Sequence, residues 1–556
     1  MQPPRPAQHL VETIGQALTL HQQGRFDEAE KLYNRALKLQ RDNFDALHLL
    51  GMLNQQRGKA GEAFRLISAA LKVNPRSPEA LSNLGIVLHA LKRSEEALAS
   101  LAKALALAHG HPDALNNRGN ILLDLKRPAE ALSDFEAVLA ANPRHLQARI
   151  NRGNALTEVG RAADAMADFE AALAAAPGHP VALYNLGNAL HQLGREQEAV
   201  AAYDRAVASS PQYAKAWLNR GHALAALNRH QDAIASFERV LALEPGHADA
   251  HFNAALSRLT LGDYAQGFAG YEWRWKRSGM TARKEFRRPP WLGETPLSGK
   301  TILLHAEQGL GDTVQFVRYA PLLARAGARV VLEVQPALKE LLSAVEGVTQ
   351  TVGRGEPLPP YDAHGPLGSL PLAFKTTAND VPAAIPYLRA PEAHVAKWRS
   401  RLEALPGPRV ALAWSGSAAH PNDRNRSLSI AALEPLLSVP GIGFISVQRE
   451  LRPGDAEALA RRGNVLPVGD ELESFCDTAA VLALSDLVVS VDTSVAHVAG
   501  ALGRPAFVLL PFQPDWRWML GRDTSPWYPA MKLYRQPTVG DWTSVIARVV
   551  ADLPRG

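Results

Sequence analysis

Small and apolar residues return along the first half of the chain at a fixed interval. Ala29, Ala63, Ala97, Ala131, Ala165, Ala199 and Ala233 are spaced by 34, and so are Gly51, Gly85, Gly119, Gly153, Gly187 and Gly221. Turn residues keep the same step at Gly24-Arg25, Gly58-Lys59, Lys92-Arg93, Lys126-Arg127, Gly160-Arg161, Gly194-Arg195, Asn228-Arg229 and Gly262-Asp263. Prolines 75, 143, 177, 211 and 245 follow it too. A period of this length with small residues at fixed offsets predicts paired antiparallel helices. The small side chains let neighbouring helices approach, and proline closes a unit because it cannot continue a helix.

These columns resemble the tetratricopeptide repeat, with about eight units over residues 7–275. Such a solenoid presents a concave groove suited to a peptide or protein segment. A further column, Asn83, Asn117, Asn151, Asn185, Asn219 and Asn253, lies on the first helix of each unit. A row of carboxamides facing the groove can donate to and accept from the backbone of an extended chain. The repeat array of protein O-GlcNAc transferases resembles this one in carrying an asparagine ladder. The alternative is that asparagine is merely common at this repeat position. The array ends in "LGDYAQGFAGYEWRWKRSG", where Tyr271, Trp273 and Trp275 suit a cap that docks onto a neighbouring domain. Residues 276–299, with tandem prolines and six basic residues, read as a linker.

From Lys300 the pattern changes. "KTILLHAEQGLGDTVQFVRYAPLLARAGARVVLEV" predicts a buried strand, a glycine loop, an amphipathic helix ending near Gly327 and a second strand. "PRVALAW", "GIGFISVQ", "NVLPVG", "DLVVSV" and "RPAFVLL" predict further short strands separated by helix-length segments, hence parallel sheet. Two such sets predict two Rossmann-like domains, 300–400 and 401–556.

Composition narrows the function classes. At 556 residues, several domains are expected. A net charge of +5 is small for this length and does not imply nucleic acid. A single cysteine, Cys476, excludes an intramolecular disulfide and any multi-cysteine metal site. The opening "MQPPRPAQHLVETIG" lacks the apolar core of a signal peptide, and no stretch is long and apolar enough to span a membrane. A cytoplasmic enzyme or binding protein is the expectation.

In open parallel sheets, ligands bind beyond the strand carboxyl ends. Three loops sit there. In "EQGLGDTVQFVRY", Gly309 and Gly311 permit close backbone approach, and Asp312 can take a proton from a hydroxyl or serve as a helix cap. This is neither a dinucleotide fingerprint nor a Walker loop. In "WSGSAAHPNDRNRSL", Ser415 and Gly416 follow a strand, and Arg424 and Arg426 suit a diphosphate. In "SVDTSVAHVAGALGRP", Asp492 ends a strand, Thr493 or Ser494 can cap the next helix, and His497 sits in its first turn.

"GLGD" after the first strand, "SG" at the end of a later one and "DTSVAHVAGALGRP" together resemble the heptosyltransferase-like glycosyltransferases, over residues 300–540. The resemblance implies two Rossmann-like domains in a GT-B fold, the first on the acceptor side and the second on the donor side. It further implies an inverting enzyme, needing no metal or cofactor, that uses a nucleotide-diphosphate sugar. Asp312 would then be the base, Arg426 would bind phosphate, and Asp492, Thr493 and His497 would contact the donor. Gly309, Gly311, Ser415, Gly416, Gln448 and Ser494 complete the expected nucleotide-sugar site. Ser494 departs from the family, which usually has glycine there. The family also normally lacks a repeat array; the layout of repeats followed by GT-B is that of protein O-GlcNAc transferases, whose catalytic half is much longer. The function expected is sugar transfer to an acceptor hydroxyl, with a protein partner in the groove. The other class left open is a non-catalytic repeat scaffold with an inactive transferase-like fold.

Overall fold

The computed structural model of the protein describes residues 5–278, 286, 289–382, 384–420 and 422–554. Residues 1–4 of the opening segment, and 279–285 and 287–288 of the expected linker, lie outside them. The chain forms two compact units, Met1–Ala223 and Leu224–Gly556.

Among the described residues, sixteen α-helices run from Arg5–Gln22 to Tyr264–Tyr271. The periodic columns have direct physical causes. Every alanine of the 29-to-233 column is fully buried. A Cβ placed on Gly119 would meet the Phe135 ring at 2.6 Å, and one on Gly153 would meet Phe169 at 2.6 Å. The glycine column is therefore the floor on which the next helix lays a large side chain. The turn column is set by backbone handedness. Gly24, Gly58, Gly160, Gly194 and Gly262 take positive φ, and where the column holds Lys92, Lys126 and Asn228 these also take φ of 64°, 61° and 58°. Another column emerges at the helix starts. The side chains of Asn43, Ser77, His111, His145, His179 and His247 each accept the backbone N–H three residues on. This is N-capping, with imidazole Nδ1 as acceptor in four of the six.

The units do not divide where the sequence pattern ends, at 275. Helices Ala248–Leu261 and Tyr264–Tyr271 share a hydrophobic core with the α/β region: Leu259, Tyr264, Phe268 and Tyr271 pack with Ile302, Val314, Trp516 and Trp527. The Trp527 indole N–H donates to Tyr264 Oη at 3.0 Å. Of the three aromatic residues expected to dock, Tyr271 does so, whereas Trp273 stacks back on His251 at 3.7 Å. The described part of the 276–299 segment also packs onto the fold: Leu297 is buried in this core, and the Trp291 N–H donates to the His364 carbonyl at 2.7 Å.

Two parallel sheets follow. The first has strands β1 (Thr301–His305), β2 (Arg329–Val334), β3 (Val348–Gly353) and β4 (Ala363–Pro366), in the order β3-β2-β1-β4. The second has β5 (Arg409–Ala413), β6 (Gly443–Ser446), β7 (Val465–Pro467), β8 (Leu487–Val491), β9 (Ala506–Leu510) and β10 (Met531–Arg535), in the order β10-β9-β8-β5-β6-β7. All neighbours in both sheets are parallel. β8 is buried along its whole length, as a strand covered on both faces requires. No helix among the described residues is long and apolar enough to cross a membrane.

The handedness of the turn column yields a test. A left-handed backbone costs a lysine roughly 1–2 kcal/mol that glycine does not incur, offset in part by glycine's larger unfolded-state entropy. Lys126→Gly is therefore expected to stabilise the array by about 0.5–1 kcal/mol, measured by urea unfolding of the full chain. A loss of stability would show that the lysine side chain holds the turn.

Candidate functional site

In each sheet the strand order reverses beside the first strand of its set: between β1 and β4 in the first, and between β5 and β8 in the second. The loops leaving the carboxyl ends of two such strands diverge and open a crevice. The three loops singled out in the sequence leave β1, β5 and β8, so all of them border these reversal points.

The loop after β1 enters helix Leu310–Phe316, with Asp312 at its third position. Asp312 Oδ2 accepts the Gly309 N–H at 2.9 Å, the capping bond that the sequence allowed. Its Oδ1 pairs with Arg517 Nη2. Arg517 was not legible beforehand. It sits in the loop after β9, donates through Nη1 to Asp515 at 2.7 Å and through Nε to Gln315 at 2.8 Å, and lies over the Trp516 ring at 4.5 Å. Burial pulls the basicity of Arg517 down, but Asp312 and Asp515 raise it further, so the guanidinium stays charged.

Gly311 meets the third loop. A Cβ there would lie 2.6 Å from His497 Cδ2, so glycine lets the helix start lie flat against the imidazole. His497 accepts or donates through Nδ1 to Tyr528 Oη at 2.9 Å and packs on Trp518 with ring centres 5.6 Å apart. Burial, with Arg517 and Arg318 nearby, pushes its pKa well down, which makes it a neutral ring. Asp492 is shifted the other way. Burial and the Asp515 carboxylate raise its pKa, against the opposing pull of Trp518, Arg517 and Arg426. Thr493 is the N-cap residue of helix Ser494–Ala501, yet its side chain makes no capping bond; Oγ1 lies 3.2 Å from Ser490 Oγ instead. The plain-cap reading of "DTS" thus does not describe this threonine.

In the loop after β5, Arg426 Nη1 donates to the Asp492 carbonyl at 2.8 Å, which brings the second and third loops together. Its guanidinium covers Gly416, where a Cβ would be 2.5 Å from Nη2. Arg426 Nε and Ser415 Oγ are buried and have no partner among the described residues. Both groups belong to the loop after β5. Gln448 plays a different part from the ligand contact expected of it. Its Oε1 accepts the N–H groups of Trp414 and Ser415, each at 3.1 Å, and its Nε2 donates to the carbonyls of Ser415 and Glu450. The carboxamide is committed to backbone and positions the loop. His420 lies within electrostatic range of Arg426, Asp515 and Asp312, and burial and Arg426 lower its pKa.

The side chain of Glu307, in the loop after β1, is 8% exposed. Its Oε1 accepts from Arg274 Nη2 and the Gly368 N–H, each at 3.1 Å, and burial pushes its pKa up to about 7 despite Arg274. Arg274, from the last repeat, also donates to Ser369 Oγ at 2.6 Å.

The asparagine row in the array makes a specific set of bonds. The Nδ2 of Asn83 meets His48 Nε2 at 2.9 Å, and those of Asn117, Asn151 and Asn219 donate to Ser82, Asn116 and Tyr184, each partner 35 positions earlier. These amides tie one repeat to the one before it, a role the spacing alone did not suggest. Asn185 is buried, and Asn253 lies on helix Ala248–Leu261 in the second unit.

Comparison with known proteins identifies the repeats. Residues 116–180 and 152–214, 76–144, 214–247 and 17–58 match family models described as tetratricopeptide or TPR repeats. Protein FlbA of Caulobacter vibrioides is 28% identical over 324 residues, covering 53% of each chain, so the protein spans about half the length of that curated relative. A tetratricopeptide-repeat protein of Parabacteroides merdae shares 20% identity, over 45% of this chain and 99% of its own, with a TM-score of 0.38. The Cut9-Hcn1 structure shares 17% identity over 49% and 53%, with a TM-score of 0.41. The matched segments and the sixteen helices agree: the N-terminal half of this chain is built of tetratricopeptide repeats.

Proposed function

We propose that the α/β region is an inverting glycosyltransferase of GT-B architecture, and that the repeat array presents a protein partner to it. The observation that carries the reading is the pair of buried orphan groups, Arg426 Nε and Ser415 Oγ, at the reversal point of the second sheet. A diphosphate supplies what they lack, namely oxygens that accept from a guanidinium and a hydroxyl. The uncapped start of helix Ser494–Ala501 adds backbone N–H groups for the same anion.

The carboxylates then divide the work. A diphosphate would be repelled by a charged Asp492, but a raised pKa keeps a proton there at little cost, and the carboxyl donates a hydrogen bond instead. Asp312 is the base. Each carboxylate oxygen has two lone pairs, so one remains on each after the Gly309 and Arg517 bonds. In the transfer, Asp312 takes the proton of an acceptor hydroxyl, that oxygen forms a bond to the anomeric carbon from the face opposite the diphosphate, and the carbon–oxygen bond to the leaving phosphate breaks with its electron pair. Arg426, Ser415 and the helix start stabilise the charge that appears. His497, neutral and packed against Gly311, shapes the floor of the site.

One observation favours the non-catalytic scaffold as a second reading: both oxygens of Asp312 already have donors. The variants separate the two. Titration calorimetry of the full chain with uridine, guanosine, adenosine and cytidine diphosphates is expected to find one that binds. Arg426→Ala is expected to weaken it by about 1.5–3 kcal/mol, roughly ten- to a hundredfold. Asp312→Asn is expected to abolish transfer while leaving that affinity nearly unchanged, because a base acts on the chemical step. No binding of any nucleoside diphosphate by the folded wild-type chain supports the scaffold.

Arg517→Ala leaves Asp312 and Asp515 facing each other without a cation. The expected loss is roughly 2–4 kcal/mol of stability in chemical denaturation, below the full cost of a broken buried pair because both carboxylates reach solvent. An unchanged unfolding midpoint would remove Arg517 from its structural role.

A further inference from the structure

Away from the crevice, a different set of side chains converges. Glu340 comes from helix Lys339–Ser343 beside the first sheet, His394 from helix Glu392–Glu403, and Cys476 from the first turn of helix Phe475–Leu484 beside the second. A carboxylate oxygen, an imidazole nitrogen and the sulfur all lie within 4.8 Å of one another. From these positions we propose a binding site for a divalent transition ion of the zinc class, ligated by Glu340, His394 and Cys476 and joining the two sheet-bearing halves of the α/β region. This inference does not depend on the transferase reading.

The ligand types suit such an ion: thiolate, imidazole and carboxylate are the three that zinc takes. The imidazole is already oriented. His394 Nδ1 bonds to Asp477 Oδ1 at 2.9 Å, which leaves Nε2 facing Glu340 Oε1 at 3.3 Å. Ligand atoms around a tetrahedral zinc sit about 3.3–3.6 Å apart, given bonds of about 2.0–2.3 Å. The nitrogen and oxygen therefore stand at the required separation, the sulfur lies within 4.8 Å of both, and the carboxylate side chain is 62% exposed. Asp477 is itself fixed, accepting the Trp398 indole N–H at 2.9 Å and the Glu473 N–H at 3.1 Å. A carboxylate holding the far nitrogen of a histidine is the outer shell that metal sites use to set ring orientation. Cys476 is buried whereas Glu340 is exposed, so an ion can enter from the carboxylate side, displacing the thiol proton as it binds.

Cobalt(II) reads the site directly. Cys476 is the one cysteine of the chain, so a sulfur-to-cobalt charge-transfer band can arise from it alone. The full-length, reduced protein, stripped of metal by a chelator and desalted, is titrated with cobalt(II). The band and tetrahedral d–d absorption are expected to saturate at one equivalent and to vanish on adding one equivalent of zinc. Glu340→Gln, at an exposed position that leaves the fold intact, is expected to weaken cobalt binding at least tenfold, and His394→Gln likewise. Cys476→Ser is expected to remove the band. Absence of the band at several equivalents of cobalt in folded protein overturns the proposal. So does a band whose affinity is the same in Glu340→Gln and His394→Gln as in wild type, because the thiol would then be binding without the cluster.

Discussion

The guanidinium of Arg517 is the contact on which the α/β region turns. It bonds to Asp312 and Gln315 from the helix after β1 and to Asp515 from the loop after β9, and it stacks on Trp516. Trp516 in turn packs edge-on against Tyr264, Phe268 and Tyr271 of the last repeat, with ring centres 5.6–6.3 Å apart. One charged plane thus sets the distance between two carboxylates of opposite loops, and one aromatic ring beneath it fixes that plane to the end of the array. A lysine could supply the charge but not the fork of donors that reaches three acceptors at once.

That arrangement explains why the compact unit begins at Leu224 rather than after the last repeat. The terminal helices carry Tyr264, Phe268 and Tyr271 into the α/β core and serve as one of its walls. Arg274 extends the same wall into polar ground by bonding Glu307 and Ser369 next to the crevice. Aromatic residues of this size bury about 150–250 Å² each. Removing the last repeat would expose several of them at once, so the array's end and the crevice fold as one piece.

Much of this was legible because it is periodic or local. The alanine, glycine and turn columns require only that one helix pair be repeated, and the strands β1, β2, β5, β6, β7, β8 and β9 announce themselves as apolar runs between turns. β3, β4 and β10 were missed. β3 exposes Thr349 and Gln350, and β4 is four residues containing glycine and proline, so neither has a strand's signature. The loops after β1, β5 and β8 were found through their polar ends, but their partners were not. "PDWRW" carries Asp515 and Arg517 with no spacing that marks them, and their role depends on a contact made with Asp312 some two hundred positions earlier. Gln448 follows β6, and its carboxamide bonds to the backbone of the neighbouring loop at Trp414 and Ser415, a contact that no spacing marks. The Glu340, His394 and Cys476 cluster shows the same limit, since three elements supply one residue each.

We propose that the crevice performs sugar transfer. The most direct test is steady-state release of nucleoside diphosphate by the full-length chain from a panel of nucleotide-diphosphate sugars, with water as the default acceptor. The account predicts turnover with at least one donor, lost in Asp312→Asn. Turnover with none of them, by protein that is folded and binds a nucleoside diphosphate, would contradict it and leave the crevice as a binding site without chemistry.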